Sequence, residues 1–112
     1  MTTRAKSLVG GTFLTTAAAV YYTAAASTTA VIQRATFSNT SATDVTITVW
    51  LVPAGSGIGT HNQLINARSL IAGETYVSPE LSGKVLQATG QIQALCSRSS
   101  SISMDISGTE VT

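Results

Sequence analysis

Apolar and polar positions alternate most strictly over residues 44–52. There Val45, Ile47, Val49 and Leu51 fall on one side and Thr46, Thr48 and Trp50 on the other. A period of two is that of a strand with one buried face, and the β-branched side chains favour strand over helix. Residues 30–37 (Ala-Val-Ile-Gln-Arg-Ala-Thr-Phe) read as a second strand, and the polar run 38–43 between them predicts a hairpin with a longer loop.

The pattern continues downstream. Residues 63–71 mix apolar and polar positions, and Ala72-Gly73-Glu74 turns them into 75–78. Residues 84–88 lead through Thr89-Gly90 into 91–97, and 98–101 connect to 102–107, where Ile102, Met104 and Ile106 share a face. Residues 15–26 are alanine-rich, but Val20-Tyr21-Tyr22-Thr23 favours a strand there over a short helix. No apolar stripe of helical period and length is present. Short strands separated by turn chemistry predict an all-β fold: one antiparallel β-sandwich of about eight strands, of jelly-roll or immunoglobulin-like topology. The sandwich is placed at 15–112, with residues 1–14 as an extended N-terminal arm.

Composition narrows the function classes. Of 112 residues only 10% are charged, the net charge is +1, and Ser plus Thr number thirty-two. This argues against nucleic-acid binding, which needs clustered Lys and Arg, and against disorder, which is usually rich in charge. Fifteen of the hydrophobic residues are alanine, so the core is modest and help from neighbouring subunits is expected. The one candidate membrane span, 13–32, is mostly Ala, Ser and Thr and would insert poorly, so no membrane partner is expected.

Candidate chemistry is sparse. His61 is the single histidine and Cys96 the single cysteine, which excludes a His-rich metal site, a multi-cysteine zinc site and an internal disulfide. No nucleophile elbow accompanies His61, Asp44 and Asp105, and Cys96 reads as a buried apolar residue. Gly55-Ser56-Gly57-Ile58-Gly59 follows a strand as a phosphate loop does, but no lysine follows, so it reads as a chain-reversing loop. Neither catalysis nor a cofactor is expected. Tyr21, Tyr22 and Tyr76 suggest a sugar-stacking platform, and Asn39-Thr40-Ser41 matches a glycosylation sequon that occurs often by chance. Trp50, an aromatic on a threonine-lined face, suggests a subunit-interface anchor.

Several segments together carry a resemblance: residues 48–55 (Thr-Val-Trp-Leu-Val-Pro-Ala-Gly), 62–65, 71–76, 85–88, 92–95 and 106–111. The chain resembles, over about residues 20–112, the small β-sandwich virion proteins encoded by many tailed bacteriophages. The resemblance lies in turns and core strands and brings no catalytic motif. It implies a non-enzymatic capsid decoration, collar or head–tail accessory protein, located in the virion and made in the host bacterial cytoplasm. Its partners would be major capsid or neck proteins and further copies of itself in a symmetric homo-oligomer. The alternatives are a tail- or fibre-associated piece and a carbohydrate-binding attachment module. Residues 1–14 lie outside the shared framework. They are expected to dock on a neighbour, with Leu8, Val9, Phe13 and Leu14 giving apolar contact and Arg4 and Lys6 giving orientation. On this expectation their removal leaves a folded sandwich.

Overall fold

The computed structural model describes residues 2–112 and consists of nine strands and one short 3-10 turn in two antiparallel sheets. The strands are β1 (Thr3–Phe13), β2 (Ala19–Thr23), β3 (Thr29–Asn39), β4 (Val45–Val52), β5 (Gln63–Leu70), β6 (Thr75–Val77), β7 (Val85–Leu86), β8 (Gln91–Cys96) and β9 (Ile102–Val111). One sheet runs β1-β9-β3, with β6 and β7 both pairing the far side of β3; the other runs β2-β8-β4-β5. Since β6 pairs residues 36–38 and β7 pairs residues 30–31 of β3, the two short strands occupy one interrupted position. The predicted sandwich of about eight strands is therefore present, and the order is that of a jelly roll.

Alternation along each strand explains the layers. In β9, Ile102, Met104 and Ile106 face inward, and in β4, Val45, Ile47 and Val49 do so. With Ile32, Phe37, Ile92 and Leu70 they form one core between the sheets. Gly108, next in the inward series of β9, sits where a Cβ would come within 2.1 Å of the Val31 carbonyl oxygen, so only glycine lets β3 and β9 approach there.

Two expectations need correction. The first is the hairpin between residues 30–37 and 44–52. Of the strands consecutive in sequence, only β4 and β5 pair with each other, and β3 and β4 lie in different sheets. Asn39 explains the crossing. Buried at the end of β3, its side-chain amide donates to the carbonyls of Thr43, Leu70 and Ile71 at 2.9, 2.9 and 3.2 Å. Its Oδ1 accepts from the Ser41 backbone N–H at 3.0 Å. One side chain thus binds the β3–β4 corner to the β5–β6 corner and satisfies its own buried amide there. The same burial withdraws the sequon asparagine from solvent.

The second is the arm. Thr3–Phe13 pairs with β9 from Thr3↔Val111 to Phe13↔Ser103, so this segment is a full strand of the sandwich. Bulges after Ser7 and Val9 let Leu8 and Val9 both turn inward, and Leu14 is fully buried. Burial of these three residues within their own chain holds the segment down. Met1 lies outside the described residues.

Candidate functional site

A two-sheet sandwich is open along its two sides, where the edge strands of the sheets face each other. On one side these are β1 and β2, and on the other β5 and β6. Each opening holds a cluster of charged and aromatic side chains, and these clusters are the chemically distinctive features of the molecule.

At the β1/β2 opening, Glu110 continues the inward series of β9. Its cross-strand neighbour in β1 is Arg4, and Lys6 lies opposite Gly108, so both cations share its face. Lys6 Nζ lies 3.4 Å and Arg4 Nη2 3.6 Å from Glu110 Oε1. From the opposite sheet the Tyr22 hydroxyl donates to Glu110 Oε2 at 2.5 Å, tying β2 to β9. The Tyr22 hydrogen bond, with Lys6 and Arg4, holds the Glu110 carboxyl below its ordinary range. Burial, reinforced by Glu110, pushes the Tyr22 phenol well above its own. The carboxylate and the neutral phenol therefore persist together across the neutral range. A pocket of about 190 Å³, lined by Thr2, Arg4, Glu110 and Thr112, opens beside the pair.

The β5/β6 opening is built likewise. Arg68 lies with its guanidinium 4.0 Å from the centre of the Tyr76 ring, which stacks on Phe37. The Tyr76 hydroxyl donates to Glu80 Oε1, and Ser78 Oγ donates to the same oxygen at 3.0 Å. The Tyr76 hydrogen bond lowers the Glu80 carboxyl, while burial and Glu80 raise the Tyr76 phenol. A tyrosine–glutamate hydrogen bond with arginine beside it thus stands at each opening; at the first the Tyr22–Glu110 bond joins the two sheets, and at the second Arg68 of β5 over Tyr76 of β6 does so.

The residues singled out from sequence are scattered. Arg4 and Lys6 meet at the first opening, while Phe13 is half exposed at the far end of β1. Leu8, Val9 and Leu14 belong to the core and are withdrawn from any docking surface. Trp50 is 7% exposed, outside the main core cluster and between Gln63 and Gln93 in its sheet, so it is already covered by its own chain. Cys96 is buried, its thiol donating to the Arg98 carbonyl and raised by burial. His61 lies exposed in the β4–β5 loop, where Asn62 ties the turn by bonding Gly57 and Gly59. The tyrosines do not make a platform: Tyr22 and Tyr76 turn their hydroxyls onto carboxylates, and Tyr21 packs on the core. Among the described residues, no group of three His, Cys, Asp or Glu side chains is placed to hold a metal ion, and no helix is long and apolar enough to cross a membrane.

Sequence reasoning missed Glu110, Arg68 and Glu80, and gave Tyr22 and Tyr76 a different role. For Glu110 a signal existed. The series Ile102, Met104, Ile106, Gly108 puts Glu110 on the buried face, and an inward carboxylate calls for a cation.

No protein-family model and no curated protein matches the chain. Among solved structures, a chain of infectious bursal disease virus Gx strain aligns over 97% of this chain and 30% of its own, with TM-score 0.49 and 13% identity. A chain of infectious bursal disease virus Gt strain aligns over 97% and 29%, with TM-score 0.40 and 15% identity. This chain thus spans about 30% of the length of those chains. Likeness at this level carries no argument about function.

Proposed function

We propose that this protein is a non-enzymatic structural component of a tailed-phage virion, packing as a symmetric multimer against the capsid shell or neck. The supporting observation is the outer face of the β1-β9-β3 sheet. Its outward paired positions are mostly small and uncharged, such as Ala5, Ser7, Ser103, Thr109 and Ser38. Phe13, Val77 and Val85 add three apolar side chains that are each about half exposed. Arg34 and Asp105, of opposite sign, are its charged members. Such a face loses little charge hydration when covered, which suits the depleted charge of protein interface cores. The resemblance to phage virion sandwiches supports the same reading, and the inward-turned tyrosines speak against a glycan platform built on them.

The test uses purified protein and particles that lack it. Binding should saturate at a copy number set by particle symmetry. Val77→Asp combined with Val85→Asp should weaken it at least tenfold while the protein still melts cooperatively, since both side chains are about half exposed. Binding to immobilised glycans with none to particles would contradict the proposal.

A further inference from the structure

The edge strand β1 carries a second binding capacity, separate from the sheet face and independent of the virion reading. Thr2 and Thr112 exchange backbone hydrogen bonds at 3.0 and 2.8 Å, and the register then runs unbroken from Thr3↔Val111 to Ser7↔Ser107. In an antiparallel ladder, bonded and non-bonded pairs alternate. Arg4 and Lys6 therefore spend their backbone groups on β9, while the N–H and C=O groups of Thr3, Ala5 and Ser7 point away from the sheet. Among the described residues no strand pairs with that side. Among the described residues it is the longest uninterrupted open edge: β2 breaks register after two pairs and β5 after three.

The charge beside this edge is unbalanced. Glu110 accepts from Tyr22 and also faces both Lys6 and Arg4, so one carboxylate serves two cations. The Arg4 side chain is 68% exposed, which leaves guanidinium donors for another acceptor, and the pocket of about 190 Å³ lies against it. We infer that the open edge of β1 over residues 3–7 captures an extended acidic strand from a partner protein, pairing backbone to backbone while acidic side chains at alternate positions meet Arg4 and Lys6. Residues directly opposite across a ladder point to the same face, so two acidic residues spaced i, i+2 meet both cations at once.

A second copy of β1 does not fit. Every antiparallel self-pairing that keeps inward residues inward matches even-numbered positions with even-numbered ones. In every such register that overlaps three or more of residues 3–7, Arg4 faces Lys6 or Arg4 of the copy, or Lys6 faces itself, and like charges opposed across a ladder are destabilising. The two cations thus guard the edge against self-association and select a partner of opposite charge.

The test is an amide-resolved NMR titration of the full chain with a short capped peptide alternating glutamate and threonine. Shifts should concentrate on Thr3, Ala5 and Ser7. Methylating the peptide's backbone nitrogens on its pairing edge should abolish binding, as should lysine in place of glutamate. Arg4→Ala should weaken binding about three- to fivefold, the scale of one cross-strand ion pair. Should that variant fail to fold, the peptide controls on the unmodified protein decide the matter. Equal binding of the methylated peptide, equal binding of the lysine peptide, shifts confined to β2 or β5, no binding, or dimerisation of the chain through β1 would each overturn the proposal.

Discussion

Glu110 draws its weight from position rather than from type. It stands on the inward face of a central strand, so its carboxylate is kept by three partners: Tyr22 from the other sheet, and Lys6 and Arg4 from the neighbouring strand. Its pKa is lowered from the ordinary 4.5, which fixes the sign of its pH dependence. In mild acid the unfolded chain binds a proton that the folded one does not, so stability is full above about pH 4.5 and falls as acid titrates the folded carboxyl. Glu80 acts in the same direction. Tyr22, raised from the ordinary 10.0, works at the other end: stability is full below that pH and is lost as the solution becomes more alkaline. Glu110→Gln should lower the stability at neutral pH by about 1–3 kcal/mol, the range for a hydrogen bond to a charged partner. The gap between variant and parent should be smaller at pH 3 than at pH 7, because below about pH 4.5 the unfolded parent takes up a proton that the folded carboxyl resists. Urea melts at the two pH values check this, and a constant gap would place the stabilising role outside the ionised carboxyl. Arg4 and Lys6 stood out in the sequence as cations near its start. Their partner did not, because a cross-strand pair more than a hundred positions apart depends on register, and periodicity leaves register open.

At the level of elements, β1 carries the sharpest difference between sequence and structure. Its first half points Arg4 and Lys6 inward, and its second half contains Gly10-Gly11 and two bulges, so the usual apolar alternation is missing and the segment reads as an arm. Pairing with β9 and burial of Leu8, Val9 and Leu14 make it structural. Each such side chain contributes about 1.5–3 kcal/mol when fully buried, and three together approach the 5–15 kcal/mol that a whole domain retains. Removing residues 2–14 should therefore leave a chain with no cooperative melt, and Leu8→Ala alone should cost about 2–4 kcal/mol. Circular dichroism through a thermal ramp measures both, and a sharply melting truncated protein would restore the arm. The other strands were legible because each presents a clean apolar face. The hairpin assigned to β3 and β4 failed because alternation shows that one face is buried and says nothing about which sheet the strand joins. Asn39, with five side-chain hydrogen bonds, pins the corner where the chain changes sheets, and the sequence shows it only as a polar residue in a turn.

For the molecule as a whole, fold class followed from the spacing of strands and turns, while the jelly-roll order emerged only from the pairing. A tyrosine–glutamate–arginine cluster stands at each side of the sandwich and links its two sheets. What remains for partners is a low-charge sheet face and an open, positively charged strand edge beside it. On the proposed function, a molecule of this kind acts by fitting into a larger assembly. Cryo-electron microscopy of purified particles tests that claim most directly. The expected result is nine-stranded density for this chain, repeated by the particle's symmetry at the shell or neck, with the β1-β9-β3 face against a neighbouring protein. Particles without such density, with the chain recovered only from the soluble fraction of infected cells, would contradict it.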